Sequence, residues 1–273
     1  MQLGNTTLRI IISIAAIPFI IAVSYFGRIP FLLFALGIGL LSYYEFASLT
    51  VHKNDYANKP AGYIAVFLLI LNSYFRFIET ELLFLIITVL LLLVELFRNK
   101  ESAINNLGAT LLGIFYVGYF SAVLVQIREF YNRSDFLYAQ GGFIIIAMFF
   151  TIWICDSAAF FLGSAYGKHK LFPRVSPNKS WEGAIAGFVF SILAMIVSKE
   201  TILDFLGWND VIILGIIIGT IGQIGDLIES LIKRDAKVKD SSSLIPGHGG
   251  MFDRFDSLLF SAPVIFLYLH YFV

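Results

Sequence analysis

A polar segment at residues 230–256 combines carboxylates, basic side chains and glycines between two apolar stretches. Four basic residues precede a Pro-Gly-His-Gly-Gly sequence that begins at Pro246, and Asp253, Arg254 and Asp256 follow it. Aspartate oxygens are hard ligands that Mg²⁺ prefers, and glycine-rich backbone offers N–H groups to phosphate oxygens. The segment therefore indicates a site for a metal ion and phosphate groups.

The composition of the chain is that of a membrane protein. Hydrophobic residues make up 58% of its 273 residues, charged residues make up 14%, and the mean hydropathy is +0.83. Soluble domains carry about 25% charged residues. We therefore expect an all-α, polytopic integral membrane protein. Hydropathy predicts nine transmembrane helices, at residues 8–27, 31–49, 60–78, 82–97, 107–127, 142–163, 181–198, 211–232 and 257–272.

The positions of the polar motifs divide the chain into two predicted regions. Residues 1–140 hold five transmembrane helices, and residues 141–273 hold four helices and the loops that carry the catalytic motifs. A net charge of zero points to no acidic or basic partner, so we expect no nucleic-acid partner. Cys155 is the single cysteine, which excludes an intrachain disulfide.

The distribution of Lys and Arg predicts the orientation of the chain. With nine spans, 14 of the 19 basic residues share the side of the N-terminus and five lie on the other side. The positive-inside rule places the first side in the cytoplasm and the C-terminus outside. We expect a multi-pass protein of the plasma (inner) membrane, with the motif-bearing loops and the active site facing the cytoplasm.

The eighth predicted helix carries a polar stripe. Its members recur mostly every three or four residues and so share one helix face: Gln223, Asp226, Glu229, Ser230 and Lys233. A charge at the bilayer centre costs about 2.5–3.5 kcal/mol on insertion scales, which favours a functional role for such a stripe. Helix packing with an internal Lys–Glu pair is the alternative interpretation.

A second polar group extends from the sixth predicted helix to the seventh. Asp156 lies near the cytosolic end of helix six, and Lys168 lies in the following loop, where ordinary positive-inside topology explains it equally well. Either Ser176–Pro177 or Ser180 can begin helix seven, because Ser caps helices and Pro suits their first position. A helix start is an anion site, so we expect Lys179 and Ser180 to contact phosphate.

Each part of the polar segment has a plainer interpretation when it stands alone. Asp253 and Asp256 can be a charge pair at a helix start, and His248 is more often a hydrogen-bonding loop residue than a catalyst. Gly249 and Gly250 alone can form a simple turn. The combination of carboxylates, cations and glycines beside membrane helices is what favours metal-assisted phosphate chemistry on a lipid.

These residues resemble the signature of the phosphatidate cytidylyltransferase family, also called CDP-diacylglycerol synthases. The first similar motif reads Ser230-x-Ile232-Lys233-Arg234, Lys239-Asp240, Ser242, Ile245-Pro246-x-His248-Gly249-Gly250 and Asp253-Arg254-Phe255-Asp256. The second comprises Asp156 through Gly163-x-x-x-Gly167-Lys168 and Ser176-Pro177-x-Lys179-Ser180-x-Glu182-Gly183. The detailed resemblance covers roughly residues 155–256, and the first 140 residues resemble the family only as a run of membrane helices.

The resemblance implies an enzyme of phospholipid biosynthesis that joins CTP and phosphatidic acid into CDP-diacylglycerol and releases pyrophosphate. It implies a divalent cation, usually Mg²⁺, held by Asp226 and Asp253 with support from Asp256. The residues expected to act in catalysis are Asp226, Asp253, Lys233, Arg234 and His248. Those expected to bind the nucleotide are Lys179, Ser180, Lys168, Gly249, Gly250 and Arg254.

The resemblance also implies a homodimer. Small residues at Gly163/Gly167 and Gly183/Gly187 allow close approach of helices. Such glycines can serve a contact between two chains or packing within one chain, and the sequence leaves both interpretations open.

Two other functions remain open. A lipid or polyprenol kinase that uses CTP would transfer the γ-phosphoryl group to an alcohol, and its product would carry no cytidine. A transporter of an anion or metabolite usually has internal repeats with paired broken helices, and no repeat is found in this sequence. A purely structural membrane protein would leave the cluster of carboxylates and cations unexplained.

Overall fold

The computed structural model describes residues 5–53, 55–131, 133, 136–242, 244 and 249–273, with side chains from Ile14 onward. Two π-helical segments, Ile114–Tyr119 and Ile218–Gly222, lie inside longer helices. The helical runs are α1 (Asn5–Phe26), α2 (Arg28–Val51), α3 (Lys59–Phe75), α4 (Thr80–Leu96), α5 (Ala103–Arg128), α6 (Tyr138–Tyr166), α7 (Trp181–Thr201), α8 (Trp208–Asp235) and α9 (Phe252–Phe272). The strands are β1 (Lys170–Phe172) and β2 (Ser176–Ser180).

Each predicted transmembrane helix overlaps one of these runs. Among the described residues, six helices are long and apolar enough to cross a membrane: α2, α5, α6, α7, α8 and α9. Of the remaining runs, α3 and α4 have 17 residues each, and the part of α1 from Ile14 to Phe26 is a shorter apolar helix. The all-α, multi-pass architecture is therefore confirmed, whereas length and composition do not confirm the predicted count of nine crossings.

The chain forms two compact units that interleave along the sequence. The first unit comprises Met1–Phe19, Arg28–Gln126 and Ile232–Phe255, and the second comprises Ile20–Gly27, Ile127–Leu231 and Asp256–Val273. The predicted division into residues 1–140 and 141–273 rested on the positions of motifs, not on compactness. That functional division stays a prediction.

In the first unit, α2 and α3 pack around a buried tyrosine. Tyr43 of α2 is 0% exposed, and its hydroxyl donates to the carbonyl oxygen of Asn58 at 3.3 Å. Gly62 makes room for the Tyr43 ring, which a side chain at that position would overlap. Asn58 also caps α3 by accepting from the Ala61 N–H at 3.2 Å, with Pro60 in the first turn. These contacts fix where α3 begins.

In the second unit, α6 and α7 approach closely through glycines. A Cβ atom on Gly183 would lie 2.7 Å from the Ala159 carbonyl oxygen, and one on Gly163 would lie 3.2 Å from the Gly183 Cα. A Cβ atom on Gly187 would lie 3.1 Å from the Cys155 carbonyl oxygen. These glycines therefore pack within one chain, and the homodimer stays a prediction that rests on family resemblance.

We expect Gly183→Ala to lower the stability of the protein. The added methyl group would collide with the backbone of α6, and overpacking of this kind typically costs about 1–3 kcal/mol. Thermal unfolding of detergent-solubilised protein measures the effect. Gly108→Ala in α5 is the matched control, because nothing lies within 4 Å of a Cβ atom there. Equal melting temperatures for the two variants would contradict the close approach of α6 and α7.

Candidate active site

Three carboxylates of the second unit come together from two helices. Asp226 and Glu229 lie three residues apart on α8, Asp256 lies on α9, and one oxygen of each lies within 4.8 Å of the others. Glu229 and Asp256 are buried, with 1% and 8% of their surface exposed. Buried carboxylates in a membrane segment are costly unless something compensates their charge. We call these three residues the acidic cluster, and its oxygen ligands suit a hard cation such as Mg²⁺.

Lys179 brings a positive charge to the acidic cluster. Its Nζ atom lies 2.5 Å from Asp226 Oδ2, and Ser230 Oγ donates to the other Asp226 oxygen at 3.4 Å. The side chains of Lys179 and Asp226 are 30% and 34% exposed. The pair is therefore accessible to a ligand, whereas the other two carboxylates lie deeper.

Asp156 of α6 interacts electrostatically with the same group. Its charge and that of Lys179 both act on Asp256. The carboxylates around this point outnumber the positive charge of Lys179, so the surroundings favour a bound cation. The sequence placed Asp156 and Lys179 on one side of the membrane without assigning Asp156 a role.

A π-helical turn sets the direction of the acidic residues on α8. The segment Ile218–Gly222 directly precedes Gln223, whose Nε2 donates to the Gly219 carbonyl at 2.6 Å and the Ala184 carbonyl of α7 at 3.0 Å. A wider turn changes which side chains of the following helix face a neighbour, and such turns are frequent at functional sites. The π turn therefore helps to direct Asp226 toward α7 and Lys179.

The hairpin of β1 and β2 positions Lys179. The strands are antiparallel, with Lys170 opposite Ser180 and Phe172 opposite Ser176. The sequence predicted a loop here. Ser180 ends β2 and caps α7, because its Oγ accepts from the Gly183 N–H at 3.2 Å. The sequence left open whether Ser176–Pro177 or Ser180 begins this helix, and the structure shows that Ser180 does. The predicted contact of Ser180 with phosphate stays a prediction.

Asp253 belongs to the first unit and has a different set of partners. Lys233 Nζ donates to Asp253 Oδ1 at 3.0 Å, and their side chains are 12% and 9% exposed. The N–H groups of Ser241 and Gly250 donate to Asp253 Oδ2 at 3.1 Å each. Asp253 therefore joins the end of α8 to the glycine-containing loop, and its role as a metal ligand stays a prediction.

The remaining predicted residues are distributed over three places: Lys168 precedes β1, Arg234 lies in the last turn of α8, and Arg254 lies in the first turn of α9. Lys168 and Arg254 are exposed, and Arg234 donates to the Val238 carbonyl at 2.9 Å. Gly249 has a φ of 85°, a left-handed conformation that side chains disfavour. His248 lies outside the described residues, so its predicted catalytic role is a prediction only.

Two carboxylates contribute more than the sequence suggested. Glu229 was recognised as part of the polar stripe but not as a metal ligand, and it belongs to the acidic cluster. Glu45 on α2 was not singled out, yet it is completely buried and contacts the loop between α8 and α9. A carboxylate inside an apolar helix is the signal that could have identified Glu45.

Comparison with known proteins gives matches along nearly the whole chain. The profile of the cytidylyltransferase family matches residues 7–272. The phosphatidate cytidylyltransferase of Brucella suis biovar 1 (strain 1330) is 33% identical over 270 residues, which cover 97% of this chain and 94% of that protein. That of Bacillus subtilis (strain 168) is 30% identical over 265 residues, covering 94% of each chain. That of Haemophilus influenzae is 41% identical over 159 residues, covering 56% of this chain and 54% of that protein.

The chain belongs to the cytidylyltransferase family and is an enzyme of the nucleotidyltransferase class. The resemblance to phosphatidate cytidylyltransferases that the motifs indicated is confirmed. Because the family profile matches from residue 7, the similarity also includes the helices before residue 140, where the motifs indicated only a general likeness.

Proposed function

We propose that this enzyme transfers the cytidylyl group of CTP to phosphatidic acid, forming CDP-diacylglycerol and releasing pyrophosphate. Relatives of that name that match nearly the whole chain are the observation that carries the proposal. A phosphate oxygen of phosphatidic acid attacks the α-phosphorus of CTP, and the bond to the pyrophosphate oxygen breaks. The attacking oxygen is already anionic, so the reaction needs little help from a general base.

The rate of this reaction depends mainly on electrostatic stabilisation. Two anions must meet, and negative charge builds up on the leaving pyrophosphate, so fixed cations near both groups lower the barrier. The contact of Lys179 with Asp226 supports a role for Lys179 beside phosphate groups. Lys233 and Arg234, at the end of α8, are the further cations that we assign to the substrates.

The acidic cluster supports a divalent cation as cofactor. Asp226, Glu229 and Asp256 offer the oxygen ligands that Mg²⁺ prefers, and family resemblance adds Asp253. When bound, the ion supplies positive charge that offsets the charge of the phosphate oxygens. The carboxylates would hold the ion, and Lys179 would balance part of their charge.

The proposed site serves one substrate from water and one from the bilayer. CTP arrives from the cytosol and phosphatidic acid from the membrane, which fits a polar stripe on a membrane helix. We propose that the active site faces the cytoplasm and that the enzyme acts as a homodimer in the plasma (inner) membrane.

Purified protein with CTP, phosphatidic acid and Mg²⁺ tests the proposal. We expect pyrophosphate and a cytidine-containing lipid to form in equal amounts, and both to disappear when either substrate is omitted or the metal is chelated. In a parallel reaction with diacylglycerol in place of phosphatidic acid, phosphorylation of the lipid without transfer of cytidine would move the assignment to a kinase. Transport without nucleotide turnover would contradict an enzymatic role.

The proposed orientation predicts opposite labelling of two positions. In intact cells, a membrane-impermeant thiol reagent should not label Lys237→Cys, on the loop after α8, but should label Val273→Cys. After the cells are opened, the reagent should label both. The native Cys155 is buried, so the unmodified protein serves as the control. Labelling of Lys237→Cys in intact cells would contradict a cytoplasmic position for this loop.

A further inference from the structure

Glu45 of α2 is a completely buried carboxylate that contacts both sides of the loop between α8 and α9. Its Oε1 accepts from Ser242 Oγ at 2.6 Å and the Met251 N–H at 2.9 Å. Its Oε2 accepts from Ser241 Oγ and the Phe252 N–H, both at 2.8 Å. These donors lie 196 to 207 residues further along the chain. One side chain therefore binds residues at both ends of this loop.

Glu45 also takes the place of an N-terminal cap for α9. The first N–H groups of a helix have no acceptor within the helix, and negative charge is favourable there. Glu45 supplies that charge from another helix, to the N–H groups of Met251 and Phe252. The Phe252 ring packs against Phe46 and Tyr116, with ring centroids 6.3 and 5.6 Å apart. Polar and apolar contacts thus fix the start of α9 together.

The contacts of Glu45 and Asp253 meet at Ser241 and Gly250. The Ser241 hydroxyl donates to Glu45, and the Ser241 N–H donates to Asp253. The Gly250 N–H also donates to Asp253, and a Cβ atom on Gly250 would lie 2.5 Å from Glu45 Oε2. A side chain at position 250 would collide with Ser241 Oγ as well as with Glu45 Oε2, which favours glycine there.

We infer that Glu45 is a positioning residue for the reaction. It binds Ser241 and Ser242 on one side of the loop between α8 and α9, and Met251 and Phe252 on the other, so that Gly250 and Asp253 keep fixed places. It acts through the loop and does not contact substrate. The inference rests on the proposed function and on the expectation from the sequence that Gly249 and Gly250 bind the nucleotide and that Asp253 and Lys233 act in catalysis. A carboxylate is needed because two backbone N–H groups, which can only donate, approach different oxygens of the side chain.

Glu45→Gln tests this role with little change of size. The amide keeps one acceptor oxygen, and its NH₂ group faces a backbone donor. We expect kcat/KM for CTP to fall about 10- to 100-fold, because small displacements of positioned groups lower rates by such factors. The KM for phosphatidic acid should change less. Hydrogen exchange followed by mass spectrometry should show faster exchange in peptides that contain Met251 and Phe252.

Glu95→Gln is the matched control. Glu95 is also a buried glutamate of the first unit, at 7% exposure, and accepts from Arg98 at 3.1 Å and Asn106 at 2.8 Å. The exchange of the loop between α8 and α9 should stay as in the wild type in Glu95→Gln protein. If both variants lose kcat/KM equally, or if Glu45→Gln leaves loop exchange unchanged, the positioning role is overturned.

Ser241→Ala provides a milder test if Glu45→Gln protein does not fold. It removes one of the four donors to Glu45 and should raise loop exchange while lowering kcat/KM for CTP several-fold; no change in either would overturn the inference. In a folded double variant, the effects of Glu45→Gln and Ser241→Ala should be less than additive, because the residues share a contact.

Wild-type protein that forms no cytidine lipid overturns the proposed function. An active wild type whose Glu45→Gln and Glu95→Gln variants behave alike overturns only the inference about Glu45.

Discussion

Asp226→Asn protein is expected to insert and fold normally but to lose at least about 100-fold of its turnover. The change keeps the size of the side chain and removes its negative charge from the acidic cluster and from its contact with Lys179. The lost contribution is electrostatic, so stability should change far less than activity. The rate of cytidine-lipid formation, measured over a range of Mg²⁺ concentrations, checks this expectation.

Asp204→Asn is the control for that experiment. Asp204 is an exposed aspartate of the same unit, on the loop between α7 and α8, and its substitution should leave turnover within about twofold of the wild type, as expected for a surface position away from any such contact. Asp256→Asn should cause a smaller loss than Asp226→Asn if Asp256 only supports the metal. Near-normal Mg²⁺-dependent activity of Asp226→Asn protein would contradict the role of the acidic cluster, although not membership of the family.

Asp253→Asn should have the second large effect, with a loss of about 100-fold in turnover. Asp253 is the partner of the nearly buried Lys233, and removing one member of a buried ion pair leaves the other charge uncompensated. The variant also weakens the contacts with Ser241 and Gly250. Steady-state rates and the Mg²⁺ concentration for half-maximal activity are the quantities to measure.

The Mg²⁺ dependence separates two roles of Asp253. If Asp253 binds the metal, Asp253→Asn raises the Mg²⁺ concentration needed for half-maximal activity. If turnover falls by the same factor but the Mg²⁺ requirement is unchanged, Asp253 does not bind the metal. Its contacts with Lys233, Ser241 and Gly250 would then explain the loss. Asp240→Asn, at an exposed position of the same loop, should cause a much smaller loss and serves as the comparison.

The helices could be predicted from the sequence because their main signal is local. Hydropathy and length alone identified nine apolar segments, and each overlaps one helical run of the described chain. The ends were less accurate where a polar side chain stops a helix. The third predicted helix extends to residue 78, but α3 ends at Phe75, because the Asn72 side chain binds both backbone groups of Ile78 and Arg76 is left-handed. Hydropathy does not detect such a cap.

The candidate site could be predicted only where its residues are close in sequence. The spacing of Asp226 and Glu229 placed them on one face of a helix, as the structure has them. The contact between Glu45 and the loop joins residues about 200 positions apart, and a single glutamate in an apolar helix does not identify its partner. The sequence of β2 shows no alternation of apolar and polar residues, which is the usual sign of a strand.

The fate of the two labelled phosphates of CTP tests the central proposal most directly. Purified enzyme is incubated with phosphatidic acid, Mg²⁺ and CTP labelled at either the α- or the γ-phosphate, and the lipid fraction is then counted. Cytidylyl transfer predicts that the α-label enters the lipid and that the γ-label leaves in pyrophosphate, with one pyrophosphate for each lipid product. Label from the γ-phosphate in the lipid, with none from the α-phosphate, would contradict the account.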